Sequence, residues 1–468
     1  MPESRSLREA ILAAPLETSH FGEEPKPGTL YIPPSHRKAL QLDAHLVVGG
    51  RGVGKSFWTA ALQSGELRQW LGVALPELKD MVVRAGFTAP EAIDQYPNAD
   101  VFADLLNKGH DPYDIWRAVI LRWVAQRQTQ AIPVNSWKDT SEWLKSHPEE
   151  AARLMQQPRN WRGLIVFDAL DRTSNVWQRM DDIVRGLLRA VLWLKTFSGL
   201  HAKVFLRADQ ADRNVFNFPD ASKLTATQVT LTWARHDLHG LLWQRLVNAP
   251  DRDGVLHLRE ISSAREESGI WLLPDDMKRE TGMQRQSFEQ LAGPWMGRDR
   301  RRGVPYTWSV SHLADGQGHT SPRSFLAAIR QAAEDSRERY PQHEFALHYE
   351  SIKRGIQKAS EIRVQEVAED NPWIPDVLSE LKGMTVPCDY AEVLSRWQAQ
   401  FPAGPQNIAS DRLPAQHAER GWEGVRQDLQ KLGLIETRKD GRIDMPDLYR
   451  VGFGLGRRGG VKPKNGWL

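Results

Sequence analysis

Cysteine is almost absent: the 468 residues contain one, Cys388. That excludes a disulfide framework and a cysteine-based metal site, and it suits a reducing cytosol. Long apolar runs are also missing. The most apolar helical stretch, 183–197, is interrupted by Arg185, Arg189 and Lys195, so no membrane span and no membrane partner are expected. The N-terminus mixes acids with arginines and lacks the apolar core of a signal peptide, which makes the cytoplasm the default location. Neither charge sign dominates: 62 Lys and Arg against 59 Asp and Glu leave a net of +3. A nucleic-acid surface would have to be a local patch. The 14 histidines are scattered without ligand spacing, and G-x-S-x-G and H-E-x-x-H do not occur, so no hydrolase elbow or zinc site is indicated. No internal repeat or low-complexity block is present.

What is there is an ordinary globular composition, 40% hydrophobic and 26% charged, in a chain too long for one core. The 18 tryptophans are spread along it, which favours packing over a base-stacking platform. A Pro-rich, extended lead-in is expected to about residue 40. Short apolar runs then alternate with helical patterns, the signature of a parallel α/β sheet. Strands are predicted at 44–48, near 81–85, and at 163–167, 202–206 and 228–232. Helical patterns at 99–106, 112–127 and 136–155 form an insertion spanning about 88–160, and 182–197 reads as a packed crossover helix. An α/β core over 41–248 is followed by a helical region over 249–370, clearest at 322–335 and 348–369. Its first part, 249–318, is charged and Gly-rich. Over 371–468, helices at 375–382, 389–400 and 424–432 precede a hairpin at 434–446 centred on Asp440-Gly441. Helices followed by a short hairpin describe a winged helix.

The stretch 45–56, HLVVGGRGVGKS, contains G-x-x-x-x-G-K-[ST] through Gly49, Gly54, Lys55 and Ser56. A strand precedes it and a helical pattern follows. In such a loop, Gly49, Gly50, Arg51, Gly52, Val53 and Gly54 would turn backbone N–H groups towards phosphate, and the helix would aim its first amides, through Ser56 and Phe57, at the same anion. Lys55 would neutralise β- and γ-phosphate charge, and the Ser56 hydroxyl would ligate Mg²⁺. A second apolar strand ends in Asp168, placed to hold the metal. Ala169 stands where related ATPases put a second acid to polarise the attacking water, and Asp171 is the nearest substitute. A third strand ends in Arg207, placed to sense γ-phosphate. Arg323 lies in the first turn of a helix opened by Ser321-Pro322, where a cation opposes the helix dipole and a bound phosphate would supply a reason.

These elements, in this order, resemble the P-loop ATPases of the AAA+/STAND division, the additional-strand class, in the flavour of the bacterial KAP and origin-recognition-like branch. The carrying residues are Gly49–Ser56 for Walker A, Ile165–Arg172 for Walker B, Arg207 at sensor 1, 229–246 as the last strand leading into a lid, and 321–329 as the lid helix. The diagnostic first lysine of ParA-like partition ATPases falls at Gly50, which sets that class aside. The resemblance implies ATP with Mg²⁺, homo-oligomerisation through the nucleotide face, an effector protein, and ATP used as a conformational switch. Many bacterial relatives serve in conflict systems such as phage defence. Ala169 departs from the usual acidic pair and puts vigorous turnover in doubt.

From residue 421 to 468 there are ten Lys and Arg against six Asp and Glu. Arg438, Lys439 and Arg442 sit on the expected wing, and Arg457, Arg458, Lys462 and Lys464 in the tail. A winged helix would put 424–432, with Arg426, Gln427, Gln430 and Lys431, into a major groove. Protein contact is the alternative use of such a wing, and the low overall charge favours it. The loop GRDRRRG, 297–303, is a second phosphate-contacting candidate or a solvated charge run. Two functions follow: an ATP-hydrolysing switch or assembly ATPase, or a DNA-binding regulator or scaffold whose P-loop binds nucleotide with little turnover.

Overall fold

The computed structural model describes residues 4–17, 25–88, 92–174, 176–211, 214–408 and 414–463. Two compact units divide between Thr232 and Trp233. The compositional shift had placed the end of the α/β core at residue 248. The helix Arg235–Val247 instead buries its residues in the second unit, which the N-terminal helix also joins.

In the first unit the aliphatic runs form five strands: β1 (Leu46–Gly49), β2 (Met81–Phe87), β3 (Arg162–Phe167), β4 (Leu200–Arg207) and β5 (Val229–Thr230). Their order is β2-β3-β4-β1-β5, and every pairing is parallel. Strand β4 lies between β1, which feeds the glycine loop, and β3, which ends at Asp168. That inserted strand defines the additional-strand P-loop fold. β5 is shorter than expected, although Leu231 N–H still donates to Val48 O at 2.8 Å. The Thr232 carbonyl beyond it is engaged by Ser35 Oγ and His36 Nε2, each at 3.1 Å.

Between β2 and β3 lies the helical insertion. Its helix Pro112–Arg127 starts on an Asp111 cap with proline at the first position. The pattern at 136–155 is two helices, Trp137–Ser146 and Pro148–Gln156, because Pro148 lacks the N–H that a continuous helix needs. The crossover helix runs Trp177–Leu194, earlier than expected, and Gly186 lets the helix Pro112–Arg127 approach. A Cβ there would lie 2.7 Å from Tyr113 N.

The second unit corrects the extended lead-in. Ser4–Ala13 is a helix with Leu7, Ala10 and Ile11 buried, and the buried Arg8 donates to the carbonyl of Ala346 at 2.9 Å. Residues 249–318 hold the helices Asp253–Ile261, Asp275–Arg279, Thr281–Ala292 and Pro305–Ser311, and the hairpin Arg265–Glu267/Ile270–Leu272. The long helices Pro322–Arg339 and Tyr349–Asp370 pack closely at Gly355, where a Cβ would meet Ala328 O at 2.2 Å. Then come Trp373–Ser379, Tyr390–Gln400, Gly421–Lys431 and the hairpin Glu436–Thr437/Ile443–Asp444. Trp58, Trp116, Trp243, Trp373 and Trp397 are fully buried, as packing residues should be. Among the described residues no helix is long and apolar enough to cross a membrane.

Candidate nucleotide site

The glycine loop joins β1 to the helix Lys55–Gln63. Gly52 and Gly54 hold φ of 79° and 105°, left-handed backbone that a side chain would strain. Gly49 is required sterically, since a Cβ there would lie 2.6 Å from Val53 Cγ2. Gly54 is the N-cap of the helix and supplies no side-chain cap, whereas Ser64 Oγ accepts from Leu67 N at the start of the next helix. The first amides of Lys55–Gln63 are thus left for an anion. The rear of this helix is pinned: Trp58 Nε1 donates to His36 Nδ1 at 2.9 Å, and His36 Nε2 donates to Thr232 O. Burial holds His36 neutral by pushing its pKa down to about 4. Phe57 lies edge-on to Trp58 at 5.1 Å, Ser56 is exposed, and Gly50 and Arg51 form the outer part of the loop.

Lys55 Nζ donates to the carbonyls of Gly49 and Gly50, both at 2.8 Å. Desolvation pushes its pKa down to about 8, against the attraction of Asp168. Asp168 is 4% exposed at the end of β3, and its backbone N–H donates to Phe87 O at 2.8 Å. Burial pushes its carboxyl up, while Lys55, the Ala169 N–H and the Ser56 hydroxyl favour the carboxylate. Ser56 and Asp168, distant in sequence, are therefore hydrogen-bonded neighbours. Ala169 has φ 57°, in the left-handed region, and the short turn Leu170–Arg172 follows. Asp171, on that turn, acts electrostatically on both Lys55 and Asp168.

Arg207 pairs with Gly49 across the β1–β4 ladder, so it borders the loop. Its Nε and Nη2 donate to Asp209 Oδ1 and Oδ2 at 3.0 and 2.6 Å, and its Nη1 lies 3.9 Å from Asp171 Oδ2. Sequence reasoning passed over Asp209; its only signal was an acid two residues beyond Arg207. Uncapped amides, left-handed glycines, an ammonium and a hydroxyl–carboxylate pair fit a nucleoside polyphosphate. Ser56 and Asp168 are the groups that would hold its magnesium.

Arg323 lies in the second unit, where its Nη1 pairs with Glu366 Oε1 at 2.5 Å. Glu366 supplies a local reason for a cation in that first turn. The C-terminal cations are mostly neutralised by their own unit. Arg438 pairs with Asp444, Arg442 with Asp440 at 2.7 Å, and Arg457 with Asp444 and Asp447. On the helix Gly421–Lys431, Arg426 and Gln427 bind Glu423, and Gln430 binds Thr437. Lys439, Arg458 and Lys462 are exposed, and Lys464 lies outside the described residues. In the loop 297–303, Arg300–Arg302 form a short turn capped by Asp299 and stand in solvent.

No family model matches the chain, and no curated protein matches it in sequence. Solved structures give loose likenesses. The ORC1 protein of Aeropyrum pernix in complex with DNA is 13% identical, with 94% of this chain and 93% of that one covered and a TM-score of 0.37. The ORC2 protein of Aeropyrum pernix, in ADPNP–ADP complexes, is 12% identical, with 90% and 93% covered and a TM-score of 0.33. ORC of Drosophila bound to DNA is 12% identical, with 96% and 91% covered and a TM-score of 0.34. Superposition this loose transfers no residue role, so each role rests on the geometry of this chain.

Proposed function

We propose that the chain is an ATP-binding and ATP-hydrolysing switch, with Mg-ATP held by the Gly49–Ser56 loop. One observation carries this reading: Lys55, Ser56 and Asp168 meet beside a helix N-terminus whose amides have no side-chain cap. Lys55 would neutralise phosphate charge, Ser56 and Asp168 would hold the metal, and Arg207 would meet the γ-phosphate. Magnesium supplies charge neutralisation at the transferring phosphate. Asp171 is the acid nearest the place left open by Ala169, and it would orient the attacking water. Arg323 would serve as a lid arginine by exchanging Glu366 for phosphate. Homo-oligomerisation, an effector protein, the KAP/STAND affiliation and a role in phage defence complete the reading.

The test is calorimetric titration with Mg-ATP alongside phosphate release. Lys55→Ala should lose binding at least tenfold, and Asp168→Ala should retain binding without turnover. Unchanged affinity in the lysine variant sinks the proposal.

A second reading, a regulator or scaffold that binds nucleotide and turns it over little, is favoured by Ala169. Tight binding with zero phosphate release would select it. For the 421–468 segment, regarded as a winged helix, protein contact is the better-supported use. Among the described residues of the segment, Arg426, Arg438, Arg442, Arg450 and Arg457 pair with its own carboxylates, which withholds them from phosphate contacts with duplex DNA. Phosphate release stimulated by duplex DNA would reverse that preference.

A further inference from the structure

Arg207 stands where β4 ends and the short helix Ala208–Ala211 begins, opposite Gly49 in the ladder. Its backbone N–H donates to Gln210 Oε1 at 3.1 Å, and the buried Gln210 donates through Nε2 to Met180 Sδ at 3.3 Å. The corner is thereby fixed. On it the guanidinium is gripped by both oxygens of Asp209, and the two side chains are 15% and 11% exposed. Asp171 lies 3.9 Å away on the guanidinium's other side. All three groups act electrostatically on Lys55, and Asp209 and Arg207 do so with opposite signs.

A two-toothed guanidinium–carboxylate pair fills the same fork that would otherwise receive two phosphate oxygens. We propose that Asp209 is an internal competitor for the γ-phosphate: a positioning residue that holds Arg207 in cis and sets the preference between nucleoside triphosphate and diphosphate. This rests on the nucleotide reading of the loop. A triphosphate reaching Arg207 has to displace Asp209, whereas a diphosphate leaves the pair intact. Asp209 therefore biases the site towards the diphosphate. The partners that release this bias are those that move the corner 207–211.

The experiment measures affinities for magnesium-bound ADP and for a non-hydrolysable ATP analogue in the full chain. Two neutral replacements, Asp209→Asn and Asp209→Ser, are compared, each checked by thermal unfolding. Either should raise the triphosphate-over-diphosphate ratio about tenfold, a shift of about 1.4 kcal/mol. Arg207→Gln should lower the ratio, and adding Asp209→Asn to it should change nothing further, which a merely structural aspartate would not produce. Equal changes for both nucleotides, an Asp209 effect that survives in the Arg207→Gln background, or an unchanged ratio in Arg207→Gln would each overturn the proposal. If neither Asp209 variant folds, the Arg207→Gln ratio decides alone. Should the unaltered protein bind neither nucleotide, the nucleotide reading fails and this proposal falls with it. Binding of both with an Asp209-independent ratio removes this proposal only.

Discussion

If Lys55 meets phosphate, nucleotide affinity must depend on pH in a defined window. In the free protein, desolvation lowers the ammonium pKa to about 8. A phosphate oxygen about 4 Å away, at an effective dielectric constant of about 20, stabilises the ammonium by about 4 kcal/mol, or about 3 pKa units. The bound-state pKa is then about 11. Since the bound state holds the proton more tightly, binding takes one up. Below about pH 7 both states are protonated and affinity is flat. From about pH 8 to 10 affinity should fall about tenfold per pH unit. At pH 8 roughly half a proton should be taken up per nucleotide, measurable by calorimetry in buffers of different ionisation enthalpy. The phosphate has already lost its last proton at these pH values, so it adds no slope. Lys55→Arg, charged throughout, should bind with no proton uptake in this range. No uptake in the unaltered protein, or the same uptake in Lys55→Arg, would refute the reasoning.

Gly54→Ala tests the loop backbone. Its Cβ would make only an ordinary van der Waals contact, with Trp58 Nε1 at 3.9 Å, so the cost is the left-handed φ, about 1–2 kcal/mol. Scanning calorimetry should show a lowered Tm and no stabilisation by Mg-ATP; a full ATP-dependent shift would contradict the cradle. In the second unit, Asp447 accepts from His312 Nδ1 at 2.6 Å and from the fully buried Arg450 at 2.8 Å, and its pKa is held down to about 2. Asp447→Asn strands a buried cation and should cost about 3–5 kcal/mol in urea unfolding. Because the folded pKa is depressed, this stabilisation is complete above about pH 4 and disappears as pH falls towards about 2. The variant's stability should therefore change less than the unaltered protein's over that interval, and parallel curves would refute the assignment.

The glycine loop, the four main strands and the acid at the end of β3 were legible in the sequence because each is a local pattern. Left-handed backbone angles permitted by Gly52 and Gly54, and a run of aliphatic residues ending in a carboxylate, do not need distant partners to be recognised. The helix Ser4–Ala13 was hidden behind a Pro-rich neighbour, and its reason for existing is the core it completes around residues far along the chain. The break at His147-Pro148 was local, but the apolar period continues across it and masked the stop.

Charge was where tertiary structure decided most. The sequence counted cations from 421 to 468 as an excess. The fold spends Arg438 and Arg457 on Asp444 and Asp447, because desolvated carboxylates hold nearby guanidinium groups strongly, while Arg442 pairs with the exposed Asp440 of the same turn. Arg323 likewise found Glu366, and Arg207 found Asp209. Sequence alone determined the glycine loop between a strand and a helix, since that depends on spacing within one short stretch. Which cations stay available to a ligand depends on distances between side chains brought together by folding, and only the tertiary structure sets those.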